Sequence, residues 1–164
     1  MGFRRKLFTL SAVVLSGAIS ACANSEDARA PSASETGMIK KATPILFVDD
    51  VQQSVDFFAD RLGFTKTMEV PYERGLQFAA VASNDVEIMF QASDVNDETF
   101  TKAELSARVG QGFIYFEIDD FEKIVEAVSD AEIVKDAHDT NYGAKEIYIR
   151  EPGGNVLGFA KQAE

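Results

Sequence analysis

Tryptophan is absent, and cysteine and histidine occur once each, as Cys22 and His138. A single thiol excludes a disulfide framework. No C-x-x-C, G-x-S-x-G, phosphate-binding glycine loop or Ser-His-Asp arrangement occurs either, which removes the commonest signatures of redox, hydrolytic and nucleotide chemistry. Positive charge is scarce: 16 basic residues face 27 acidic ones in 164, a formal net charge of −11. Such a surface repels nucleic acid and favours cationic or neutral ligands. No apolar run is long enough to cross a bilayer. The longest, Leu7 to Ile19, has thirteen residues, where a spanning helix needs about 20.

That run has a different meaning. It follows the basic segment Met1 to Lys6 and precedes Ile19-Ser20-Ala21-Cys22. Basic start, short apolar stretch and small residues form an export signal. The last four residues resemble the lipobox of bacterial lipoproteins, which implies that Cys22 is acylated and becomes the new N-terminus. Ordinary signal-peptidase cleavage at Ala21-Cys22-Ala23 is the alternative, and it would discard the cysteine. By resemblance to lipoprotein sorting rules, Ala23 directs the protein to the periplasmic face of the outer membrane. Loss of residues 1–21 removes three bases and no acids, so the mature chain carries 13 bases against 27 acids, a net charge of −14. Residues 22–42 are rich in Ala, Ser and Glu, lack periodicity, and are expected to form a flexible tether.

Thirteen phenylalanines supply core bulk, and a regular pattern begins at Thr43. Ile45 to Val48 is a short apolar strand. Asp49-Asp50 then caps a helix whose Val51, Val55, Phe58 and Leu62 share one face. Strands are expected at Phe64 to Val70, Leu76 to Ala82 and Val86 to Gln91, with Pro71 and Gly75 bracketing the first turn. A shift of 70 residues lays the second half on the first: Phe47-Val48-Asp49-Asp50-Val51 falls on Glu117-Ile118-Asp119-Asp120-Phe121. The second helix is expected from Phe121 to Ser129, followed by strands at Glu132 to Val134, Lys145 to Arg150 and Asn155 to Ala160. Between the copies, Thr101-x-x-Glu104 is a capping box for a short helix.

Ile45 to Phe64 resembles the opening of the vicinal oxygen chelate superfamily, which includes glyoxalase I, extradiol dioxygenases and bleomycin-resistance proteins. Tyr142-Gly143-x-x-Glu146 and Arg150-Glu151-Pro152-Gly153-Gly154-Asn155 resemble its closing hairpin. The resemblance implies an α+β domain over residues 43–162: two βαβββ modules whose curved mixed sheet surrounds a cavity, with the helices outside. It also implies that a chain of this size pairs as a homodimer.

Enzymes of that superfamily typically hold a divalent metal with four ligands. Carried onto this sequence, those positions are Thr43, Glu87, Phe113 and Gly158. Only Glu87 is a ligand type, so no metal and no cofactor is expected. His138, the one imidazole, is expected in an exposed loop. Strand alternation turns another set toward the cavity: Phe47, Glu87, Met89, Phe113, Tyr115, Glu117, Tyr148 and Arg150. Arg150 is a candidate salt partner for Glu87 and Glu117. These features lead to a metal-free module that binds a small aromatic molecule. A lyase or dioxygenase with unusual ligands, and a non-catalytic envelope scaffold, are the competing readings.

Overall fold

A computed structural model describes residues 39–95 and 100–163. The leader, Cys22 and the tether up to residue 38 lie outside the described residues.

The first strand, β1 (Ile45–Val48), buries Leu46 and Val48. Helix α1 (Val51–Leu62) follows at once, because the Asp50 side chain accepts the Gln53 N–H at 3.0 Å. That bond satisfies a donor the helix itself leaves free. Its buried face is Val51, Ser54, Val55 and Phe58. Then come β2 (Thr65–Tyr72), β3 (Gly75–Ser83) and β4 (Val86–Ala92). Strand β4 returns parallel to β1, and the sheet order is β1-β4-β3-β2. After α2 (Lys102–Ser106), the plan repeats as β5 (Phe113–Glu117), α3 (Phe121–Ala127), β6 (Glu132–Asp139), β7 (Ala144–Arg150) and β8 (Val156–Gln162). Its order is β5-β8-β7-β6, again with the outer pair parallel. Asp120 caps α3 as Asp50 caps α1, accepting the Lys123 N–H at 3.1 Å. The 70-residue shift is therefore a repeat of topology and of caps. The fold is α+β, two βαβββ modules with one helix packed on each sheet.

Phenylalanine does the work that tryptophan would otherwise share. Phe58 stands edge-on to Phe64 and Phe90, with centroids 5.3 and 5.2 Å away. Phe116 stacks on Phe159 at 5.3 Å, and the Phe64–Phe116 contact at 6.4 Å joins the modules. A polar latch joins them as well. The buried Glu151 carboxylate accepts from Ser54 Oγ on α1 (3.0 Å), Gly153 N (2.8 Å), Asn155 N (3.1 Å) and Asn155 Nδ2 (2.6 Å). Asn155 Oδ1 in turn accepts the Gly112 N–H at 2.8 Å. Gly153 is required by proximity: a methyl there would sit 2.3 Å from Val48 Cγ1. The Glu-Pro-Gly-Gly-Asn turn is thus the joint by which the second module grips the first.

Two local expectations change. Pro71 lies inside β2, and the turn is Glu73-Arg74. Strand β2 is an edge strand with a register shift at Val70/Pro71, where the missing N–H costs no interior ladder bond. Strand β6 runs on to Asp139 instead of ending at Val134, so His138 is on a strand and not in a loop. It too is an edge strand, mostly exposed and irregular in register at Ile133/Lys135 and Lys135/His138. Its polar, charged sequence carries no alternation because neither face is deeply buried.

Candidate functional site

Helices α1 and α3 cover one face of each sheet, and the opposite faces stay open. In the first module that face presents Ile45, Phe47, Met89 and Gln91, with Ile45 paired to Met89 and Phe47 to Gln91. Phe47 is capped at its end of the sheet by Phe100, edge-on at 6.3 Å, and by the Arg108 guanidinium 5.9 Å from its centroid. Glu87 is bound by Lys41 in an ion pair.

The second module builds a denser site. Three rows cross its open face. The first is Phe113–Val156–Arg150–Glu132, the second Tyr115–Gly158–Tyr148–Lys135, and the third Glu117–Ala160–Glu146–His138. At their centre, Glu146 is only 2% exposed. Tyr115 and Tyr142 each donate a hydroxyl to its Oε1 at 2.6 Å, and Tyr148 donates to Oε2 at 2.7 Å. His138 Nε2 stands 3.8 Å from Oε2, and its Nδ1 donates to the Asp136 carbonyl at 2.9 Å. Three tyrosines, from β5, β7 and the turn between β6 and β7, thus converge with His138 of β6 on one carboxylate.

Electrostatics follow from that convergence. Burial alone would raise the Glu146 pKa, but the three phenol bonds and the nearby His138 outweigh it and hold the carboxyl at about 2. The same bonds, with burial, push Tyr148 up to about 12 and raise Tyr115 and Tyr142 as well. At neutral pH the centre is a carboxylate ringed by three protonated phenols.

Gly158 explains how the rings fit. A methyl there would meet Tyr148 Cε1 at 2.7 Å, Tyr148 Cδ1 at 2.9 Å and Tyr115 Cδ2 at 3.2 Å. The two rings close over the bare backbone of β8. Phe113 extends the aromatic wall, 6.0 Å from Tyr148, and His138 stacks on Tyr148 at 6.2 Å.

The sequence candidates fall into groups. Tyr115, Tyr148, Phe113 and Glu117 share the open face of the second module; Phe47, Met89 and Glu87 share that of the first. Arg150 is not the salt partner of Glu87 or Glu117. Its Nε binds Glu132 at 3.2 Å and its Nη1 the Gly154 carbonyl at 2.7 Å, a pairing set by the register of β6 on β7. Glu146, Tyr142 and His138 were missed as site residues. The available signal was Glu146 two residues before Tyr148, which puts both on one strand face, with a further tyrosine four residues ahead of Glu146.

The residues present do not fit a divalent metal. On β8 the residue level with Phe113 is Val156, while Gly158 is level with Tyr115; neither has a donor atom in its side chain. Glu87 is tied to a lysine, and among the described residues no three His, Cys, Asp or Glu side chains converge. Two surface clefts, of about 570 and 520 Å³, lie elsewhere, and Glu117 is the one candidate residue that borders either.

Comparison with curated proteins finds no significant match. Solved structures give the fold. A glyoxalase/bleomycin resistance protein/dioxygenase from Nocardioides is similar at 20% identity and TM-score 0.58, over 80% of this chain and 89% of that one. Lactoylglutathione lyase from Agrobacterium tumefaciens is similar at 19% identity and TM-score 0.56, over 76% and 96%. The antibiotic binding protein TnmS3 from Streptomyces sp. CB03234 is similar at 17% identity and TM-score 0.57, over 77% and 99%. The family model for the Glyoxalase/Bleomycin resistance protein/Dioxygenase superfamily matches residues 39–159, and with the doubled βαβββ topology this places the chain in that superfamily.

Proposed function

We propose that this chain is an exported, lipid-anchored protein whose domain binds a small aromatic molecule reversibly, without a metal and without turnover. One observation carries the reading. The open face of the second module is an aromatic wall of Phe113, Tyr115 and Tyr148: Phe113 stands at one position where the resemblance implies a metal ligand, and the two tyrosine rings close over another, Gly158. The likeness in fold to an antibiotic binding protein agrees with it. Elemental analysis of the purified full chain should give far less than one zinc, nickel, iron or manganese per chain. Calorimetry with 2-naphthol should show saturable binding, with the compound recovered unchanged. About one metal per chain, lost on Glu87→Ala, would overturn the reading.

A second copy of the chain covers the exposed apolar sheet faces. Ile45, Met68 and Val70 on the first sheet are 47%, 49% and 42% exposed, and Phe113 on the second is 61% exposed. Apolar sheet faces left this open favour pairing. Light scattering that gives the mass of one chain at every concentration would exclude it.

The anchor has its own test. Cys22→Ser should abolish incorporation of labelled fatty acid and release the protein from the membrane fraction. Wild-type protein free in the periplasm, already cut beyond Cys22, would replace this with ordinary signal-peptidase processing.

A further inference from the structure

The phenol cluster says more about its ligand than that it is aromatic. A tyrosine hydroxyl has one proton to give and lone pairs that accept. Here the protons of Tyr115, Tyr142 and Tyr148 are all spent on Glu146. What the three oxygens still offer an incoming molecule is acceptor capacity alone. His138 adds to this. Its Nδ1 gives its proton to the Asp136 carbonyl, so the neutral ring offers Nε2 as a further acceptor, whereas the protonated ring sets its charge 3.8 Å from Glu146 and competes with the ligand.

The surrounding charge points the same way. Glu146 lies beneath the rings, and Glu117 sits level with it across Ala160 on the same face. Two cations stand on these rows: Arg150, in the Phe113 row, is held by Glu132 and the Gly154 carbonyl, and Lys135 ends the tyrosine row on the exposed edge strand β6. The faces of Tyr115, Tyr148 and Phe113 present the negative side of aromatic rings, which attracts cations within about 6 Å of a ring centre. A carboxylate or phosphate arriving over the rings meets acceptors and the charge of Glu146, with Lys135 at the sheet edge as the opposing charge, and no phenol proton is free to bind it.

We propose that the rings around Glu146 form a recognition site for a cationic nitrogen group, an ammonium or guanidinium, carried by the small molecule the domain binds. The site deepens the binding reading above and rests on it. Glu87 is already occupied by Lys41, so charge recognition falls to Glu146, which acts through the phenols it orients.

The molecule supplies its own reporter. It has no tryptophan and four tyrosines, three of them in this cluster, so tyrosine emission reads the site directly. The purified full chain is titrated with phenethylamine and with 3-phenylpropionate, which match in size and differ in charge. The amine should bind at least about tenfold more tightly, with a saturable change in tyrosine emission, as expected for a cation over rings backed by a carboxylate. Glu146→Gln should erase that preference. Phe113→Leu, at an exposed position that leaves the fold intact, should weaken the amine several-fold and provides a test if Glu146→Gln fails to fold. Equal affinity for the two probes would overturn the cationic site while leaving aromatic binding in place, as would a preference abolished by Glu117→Gln but not by Glu146→Gln. Silence from both probes, in calorimetry as well as emission, would remove the cationic site and the binding reading together.

Discussion

Glu151→Ala should destabilise the domain by about 3 kcal/mol or more, seen as a lowered urea midpoint with little change in slope. The carboxylate is 1% exposed and accepts four hydrogen bonds, from Ser54, Gly153 and twice from Asn155. Hydrogen bonds to a charged group contribute roughly 1.5–3 kcal/mol each, and truncation leaves buried donors without partners. These costs do not add fully, since the bonds share one acceptor. They still amount to a large share of the 5–15 kcal/mol typical of a whole domain. The loss falls on a joint between modules. Ser54 is on α1 of the first, while Glu151 and Asn155 belong to the turn before β8 of the second. Glu151→Gln should do less harm, because one oxygen still accepts. As a control, Glu104→Ala in the exposed capping box of α2 should lower the midpoint far less. A Glu151→Ala effect no larger than that control would mean the latch is not what holds the modules together.

The latch also shows what kind of information the sequence carries. Caps, turns and helical faces are local. Asp50 and Asp120 stand seventy residues apart at the starts of two similar apolar segments, so both helices and the repeat were legible from residue types alone. The candidate site was legible in part. Alternation along β5 and β7 correctly put Phe113, Tyr115 and Tyr148 on one face. The partners of charged residues were not legible, because they depend on register between strands distant in sequence. Arg150 reaches Glu132 only because β6 pairs with β7, and β6 is a charged edge strand with no periodic signal. His138 was assigned to a loop for the same reason. Gly158 carried a double meaning. As an isolated letter it is a lost metal ligand. In three dimensions it is the gap over which two tyrosine rings close. Glu146 is the strongest example, since its role appears only when residues from β5, β7 and the turn between β6 and β7 meet on one carboxylate.

That carboxylate sets the second large effect, an acid limit that Glu146→Gln should change. The folded pKa of about 2 lies below the 4.5 of the same group in an unfolded chain. A depressed carboxyl stabilises the fold fully above the unfolded value, and the contribution is lost as pH falls through the folded value. Wild-type stability from this group should therefore be flat above about pH 5 and should decline toward pH 2. The phenols set the opposite limit. Tyr148 is raised from 10.0 to about 12, and Tyr115 and Tyr142 are raised too. A raised phenol stabilises the fold fully below its unfolded value, so this contribution should fade as pH rises from about 10 through 12. Glu146→Gln removes the charge that links both limits. Relative to wild type, the variant should lose most stability at neutral pH and converge with it near pH 2. Its tyrosines should ionise closer to 10, read by phenolate absorbance, which no tryptophan obscures. Denaturation curves at a series of pH values check the first part and the absorbance titration checks the second. A difference between wild type and variant that stays constant from pH 7 to pH 2, or tyrosines that ionise alike in both, would show that the phenols do not share their protons with Glu146 in solution.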